Sequence, residues 1–309
     1  MGISAPEMLP TIFFGHGNPM NAVTQNIYTE AWRRLGTEIP KPKAILSISA
    51  HWFVPGVGVT VSTSPRTIHD FGGFPRELYG VQYPAPGDPG LARRVQELLA
   101  PLPVTLDKSW GLDHGTWSVL RHVYPHADVP VVQLSIDETQ PPSFHFQLGL
   151  KLAPLRAENV LIVGSGNLVH NLHAYAWGRH MPDPYDWAVH FETEAKQMML
   201  AGEYKPLVEY EKLGPNALLS SYTLLAAAIC DRHGPTARES ELPGRRCRWW
   251  VNIDALRKSR IAYPSRAFNR DRSQSLRRDL GKSRLRHFIF GGHDGSKGSY
   301  HGCRFRNRP

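Results

Sequence analysis

The stretch that most constrains this chain is Ala44-Ile-Leu-Ser-Ile-Ser-Ala-His-Trp52, which runs through small and apolar residues without a charge and then delivers an imidazole, His51. A strand covered by helices on both faces reads this way, and in open α/β sheets the reactive groups collect where such strands end. Two other segments repeat the design. Leu9-Pro-Thr-Ile-Phe-Phe14 breaks at Gly15 and presents His16 before Gly17-Asn18-Pro19, and Asn159-Val-Leu-Ile-Val163 breaks at Gly164-Ser-Gly and is followed by His170. A lone histidine among fifteen is ordinarily a surface or hydrogen-bonded core residue, but three placed alike, after strand-like runs and beside glycines, predict one shared site.

Between these runs the pattern alternates. Tyr28–Leu35 reads as a helix with Trp32 and Leu35 on one face, and Val57–Ser62 as a strand. Asp88 or Pro89 opens a helix over Gly90–Leu99, followed by strands at Val104–Leu106 and Val129–Ser135. Helical patterns follow at 144–155, Tyr185–Leu200 and Lys205–Glu211. Strand, helix, strand in succession predicts the α/β class: a three-layer αβα single domain around a mostly parallel mixed sheet. Two loops stand out. Ile68-His-Asp-Phe-Gly-Gly-Phe-Pro75 is rich in glycine and aromatics, and Trp110-Gly-Leu-Asp-His-Gly-Thr-Trp117 sets a fourth candidate, His114, between glycines and tryptophans.

With 309 residues, 41% of them hydrophobic, the chain is long and apolar enough for a sizeable core. No apolar run approaches the roughly 20 residues of a membrane span, and Met1-Gly-Ile-Ser-Ala-Pro-Glu does not resemble a secretory signal. Three cysteines, Cys230, Cys247 and Cys303, show no paired spacing, so a cytoplasmic protein is expected. The net charge of +9 is unevenly placed: residues 1–235 carry 17 Lys and Arg against 21 Asp and Glu, whereas residues 236–309 carry 19 against 6. We therefore expect one folded unit over 1–235 and an irregular basic tail over 236–309.

Glycine beside a ligand allows close backbone approach, and neutral imidazole suits zinc or ferrous iron. The chain has no HExxH, no HxH pair and no EF-hand loop. Gly164-Ser-Gly-Asn lacks the spacing of a nucleophile elbow and of a dinucleotide fingerprint. Asp70, Asp113 and Asp137 fall near strand ends, where a carboxylate either orients an imidazole or caps a helix or turn. Trp52, Phe71, Phe74 and Trp117 would suit a flat ring, though core packing accounts for such residues equally well.

Gly15-His-Gly-Asn-Pro-Met20, Ser49-Ala-His-Trp52, Thr67-Ile-His-Asp-Phe-Gly-Gly-Phe-Pro75, Tyr83-Pro-Ala-Pro-Gly87, Leu112-Asp-His-Gly115, Val132-Gln-Leu-Ser-Ile136 and Ser165-Gly-Asn-Leu-Val-His-Asn171 resemble the class III extradiol ring-cleavage dioxygenases of the 4,5-DOPA dioxygenase type. The resemblance runs in order over about residues 8–220. It implies Fe(II), or Zn(II), bound by His16 and His51, with His170 as the acid/base residue that also reaches the cation and His114 as a second histidine lining the pocket. The implied substrates are a catechol and O2, the ring opening beside the diol while His170 takes up and returns a proton. A binding-only pseudoenzyme for zinc or a catechol is the alternative. Nucleic-acid binding by the tail ranks last, and the resemblance implies no membrane partner.

The resemblance fails in one place. The family places a further metal-binding histidine soon after the position of Asn216-Ala-Leu-Leu-Ser220, but here Ser221-Tyr-Thr-Leu-Leu225 follows and no histidine appears until His233. The tail reads as a frameshift product. Trp249-Trp250 followed by a valine codon becomes Gly-Gly when shifted by one base, and Val251-Asn-Ile-Asp-Ala255 can then read Ser-Ile-Ser-Met, the kind of strand with which the family closes. A chain translated as written is expected to hold its metal weakly.

Overall fold

The structure, a computed structural model, describes residues 8–171 and 185–220. Among them six strands form one sheet: β1 (Thr11–Gly15), β2 (Ala44–Val54), β3 (Val57–Thr60), β4 (Val104–Asp107), β5 (Val131–Asp137) and β6 (Val160–Gly166), in the order β1-β6-β2-β5-β3-β4. Each neighbouring pair is parallel except β3 and β5, which meet antiparallel at Val59 and Leu134. The helices are α1 (Ile27–Glu38), α2 (Arg76–Tyr79), α3 (Pro89–Leu99), α4 (His114–Val123), α5 (Pro142–Leu152), α6 (Asp186–Ala201), α7 (Tyr204–Val208) and α8 (Pro215–Ser220). This is the expected mostly parallel mixed sheet between helical layers.

Strand alternation divides the core into two. Ala44, Leu46 and Ile48 of β2 join Val132, Leu134, Val160 and Ile162 beneath Val95, Leu99, Leu148 and Phe191, from α3, α5 and α6. Ile45, with Ile12, Phe14, Leu161 and Val163, packs on the other side against Trp32, Leu35, Trp117 and Leu120, from α1 and α4. Helix starts follow local chemistry. Asn26 caps α1 by accepting from Tyr28 and Thr29 N–H, and Asp88 caps α3 by accepting from Leu91 N–H, with Pro89 at the first helical position.

Three expectations change. The glycines that read as strand breaks are strand residues, since Phe13 pairs with Gly164 and Gly15 with Gly166; the turn falls at Gly17, whose φ is +64°. His51 sits inside β2 rather than in a turn beyond it, where the register with β5 slips between Ile48 and Phe53. Helix α4 was not expected from the sequence, where Trp110–Trp117 stands out as a loop of glycines and tryptophans; the helix begins inside that stretch, directly after its Asp113 cap.

No helix among the described residues is long and apolar enough to cross a membrane. Residues 221–309, with the cysteines, His233, the boundary expected at 235/236 and the basic tail, lie outside the described residues.

Candidate metal centre

The site lies at the carboxyl ends of β1, β2 and β6, facing the N-terminus of α4. Ser47, Ser49 and His51 of β2 all meet that helix. Ser47 Oγ is 2.8 Å from Thr116 Oγ1, while a Cβ placed on Gly115 would lie 2.5 Å from Ser49 Oγ and 3.0 Å from His51 Cδ2. Only glycine lets the helix start this close to the strand. Asp113 is the N-cap, accepting from Thr116 N–H at 3.1 Å, and this places His114 in the first turn, its ring tilted over that of His51 with centroids 3.9 Å apart.

His16, one residue past β1, completes the group. Its ring lies 4.9 Å from that of His51 and 5.4 Å from that of His114, and the nitrogens that the three histidines can offer a cation all lie within 4.8 Å of one another. The facing Nε2 atoms of His16 and His51 are 3.1 Å apart. His16 is held from behind. Ser165 Oγ donates to the Gly115 carbonyl at 2.6 Å, so its lone pair accepts from His16 Nδ1–H at 2.9 Å, and the Nε2 of His16 carries no hydrogen.

Asp70, from the glycine-aromatic loop, stands behind the other two rings. Its Oδ1 accepts from His114 N–H at 2.9 Å, and its Oδ2 lies 3.4 Å from His51 Nδ1. The same Oδ2 is 2.9 Å from His114 Nδ1, without the alignment of a straight hydrogen bond. Burial would raise the Asp70 carboxyl, but its contacts with His114 and His51 outweigh that and hold it below the usual carboxylate range.

His16 and His51 are kept neutral. Burial, then the neighbouring histidines, take His16 well below the ordinary value, and burial with His114 pushes His51 down to about 3 in spite of Asp70. Beneath them, burial and the charge of Asp70 push Asp113 up to about 6. Asp113 also pairs with Gln133 Nε2, and Gln133 Oε1 accepts from Thr116 Oγ1 at 3.1 Å. Imidazole nitrogens converging in a buried site form a donor set suited to a divalent cation of intermediate softness.

His170 follows β6 and is half-buried. It lies close enough to His16, His51 and His114 for their charges to influence one another, and burial lowers its pKa. The resemblance groups His170 with His16 and His51 as ligands; the nitrogens that converge within 4.8 Å are those of His16, His51 and His114, and His170 stands beside them. The unanticipated helix explains the difference, since its close approach at Gly115 brings His114 over His51. Of the candidate carboxylates, Asp113 is a helix cap, Asp137 accepts from Thr139 in a turn, and Asp70 meets the imidazoles. Trp117 is buried core, and Trp52 stacks on Trp110. Phe71 approaches His114 edge-on at 5.4 Å and Phe74 at 5.3 Å. Sequence reasoning missed Gln133, Ser47 and Ser49; their signal is uncharged polar residues at alternate positions of strands that are otherwise apolar.

Residues 10–224 match the family described as the catalytic LigB subunit of aromatic ring-opening dioxygenase. Over 212 residues the chain is 51% identical to a protein of Escherichia coli (strain K12) named 4,5-DOPA dioxygenase extradiol, covering 67% of this chain and 78% of that protein. A protein of the same name from Beta vulgaris is 41% identical over 220 residues, covering 69% and 81%. The crystal structure of an uncharacterized protein from Escherichia coli K12 superposes with a TM-score of 0.62 at 43% identity, covering 72% of this chain and 87% of that one.

Proposed function

Because this chain belongs to the family of the catalytic LigB subunit of aromatic ring-opening dioxygenases, we propose that it opens the ring of a DOPA-like catechol with O2 at a centre of Fe(II) or Zn(II). The observation that carries the metal reading is the convergence of His16, His51 and His114. When bound, ferrous iron would supply the one-electron chemistry that lets a catechol react with O2. The residues of the chain do the rest. His16 and His51, with His114 as third nitrogen, hold the cation. His170, neutral and half-buried beside them, accepts the second catechol proton and returns it to the leaving oxygen. Phe71 and Phe74 flank the ring-binding side.

The family match ends at residue 224, which supports a catalytic unit within 1–235 and a basic tail over 236–309 arising from a shifted reading frame. Resequencing codons 215–260 tests the frame; an uninterrupted frame with a translated tail overturns it. A cytoplasmic setting belongs to the same proposal, supported by three cysteines without paired spacing.

Anaerobic loading with ferrous iron, followed by a catechol and air, tests the activity. The expected result is oxygen uptake with a yellow ring-opened product, abolished in His16→Ala and His51→Ala. Stoichiometric iron without oxygen uptake on any catechol would refute the proposal and leave the binding-only alternative.

A further inference from the structure

We propose that Gln133 is a positioning residue: from β5 it fixes where α4 begins, and so sets the His114 ring against that of His51. Its side chain is fully buried and stands beside Ser47 of β2, its partner in the parallel register. The amide has one orientation open to it. The backbone N–H of Asp113 can only donate and lies 3.4 Å from Gln133 Oε1, so Nε2 is left for the Asp113 carboxyl. Oε1 also accepts from Thr116 Oγ1 at 3.1 Å. That contact uses the one hydrogen of the Thr116 hydroxyl, so Ser47 Oγ, 2.8 Å away, donates to Thr116. Asp113 and Thr116 bracket His114, and one side chain therefore grips the helix on either side of it.

Ser47, Asp113, Thr116 and Gln133 are each at most 1% exposed. Apolar side chains of the same volume would hold helix to sheet about as well, because a buried hydrogen bond adds little net stability over the apolar pair that could replace it. Direction is what the polar groups add. Apolar contact tolerates a small slide of a helix along a sheet, whereas a satisfied buried network specifies one placement. The start of α4 is where a slide would matter, since the His51 and His114 rings stand there with centroids 3.9 Å apart. At the far end of the same helix the His122 ring meets Trp32 at 5.7 Å, which supplies an internal control.

The inference rests on the reading of His114 as third nitrogen for its effect on a cation, but not for the ring geometry. Full-length protein, freed of metal and titrated with zinc against a chromophoric chelator, tests the first in a double-mutant cycle of Gln133→Leu and His114→Ala. Zinc affinity should fall about 10-fold in Gln133→Leu. In the His114→Ala background the same substitution should change it by less than about 2-fold, because Gln133 acts on the cation through His114 alone. A general loosening of the fold would weaken zinc by the same factor in both backgrounds. That result, or wild-type affinity in Gln133→Leu, would overturn the proposal.

The ring geometry is read without metal, by nuclear Overhauser contacts in protein labelled at histidine and tryptophan. Gln133→Leu should lose the contact between the His51 and His114 rings and keep that between Trp32 and His122. Persistence of the first, or loss of both together, overturns the proposal. If Gln133→Leu does not fold, Thr116 decides. Thr116→Val removes the hydroxyl that Gln133 accepts from and should lose the His51–His114 contact, whereas Thr116→Ser keeps the hydroxyl and should restore it; equal behaviour of the two variants overturns the proposal. Should His114→Ala bind zinc as tightly as wild type, the reading of His114 as a ligand fails, and the ring contacts alone decide whether Gln133 positions it.

Discussion

His16 Nδ1 lies 2.9 Å from Ser165 Oγ, a contact that joins residues 149 positions apart and ties the end of β1 to its neighbour β6. Because Ser165 donates its own hydrogen to the Gly115 carbonyl at 2.6 Å, this contact also determines which nitrogen of His16 faces the site.

Removing that hydroxyl tests the arrangement directly. Ser165→Ala strands a buried ring N–H on His16, and should cost about 1–3 kcal/mol in urea denaturation. Zinc affinity should fall by roughly tenfold as His16 loses its fixed orientation. A stability change within about 0.5 kcal/mol, the usual range for a neutral surface change, would contradict the role.

Gly115 separates the needs of the helix from those of the site. Alanine suits a helix interior better than glycine by about 1 kcal/mol, yet its Cβ would lie 2.5 Å from Ser49 Oγ and 3.0 Å from His51 Cδ2. Gly115→Ala should therefore weaken metal binding more than its thermal melting temperature suggests. Wild-type zinc affinity in this variant would show that the close approach is not needed.

Stability should decline in mild acid through histidines remote from the site. His145 is buried, donates from Nε2 to the Asp137 carbonyl at 3.1 Å, and burial lowers its pKa, as burial also does for His122. Each is neutral in the fold and takes up a proton on unfolding, so the stabilisation is complete above the unfolded value of about 6.5 and falls with pH below it. The slope is at most about 1.4 kcal/mol per pH unit for each group. Urea unfolding at pH 7.5 and 5.5 should show the loss, and His145→Gln should make it smaller; an equal slope in the variant would exclude His145 as a source.

Trp117 links the core to the loop that carries Asp70. Its Nε1–H donates to the Ile68 carbonyl at 2.8 Å from a fully buried ring. Trp117→Phe keeps most of the apolar contact but loses that bond, and should destabilise by about 1–3 kcal/mol. Hydrogen exchange should quicken over residues 68–75 more than in β2. Equal protection in the two regions would mean that the bond does not anchor the loop.

The strands and most helices were legible in the amino-acid sequence, because uncharged runs such as Ala44–Ile48 have few stable fates other than a covered strand and because Asn26 and Asp88 mark helix starts by local chemistry alone. The four histidines of the site were legible too, by their placement beside strand ends and glycines. Which of them converge was not. That depended on α4, which begins inside a stretch whose glycines and tryptophans read as a loop, and on Gly115, whose missing side chain matters only once Ser49 and His51 stand opposite it. The choice of bare nitrogen on His16 was equally out of reach. It is decided by Ser165, a residue distant along the chain from His16, and a hydrogen bond across such a distance exists only after the sheet and the helix have packed.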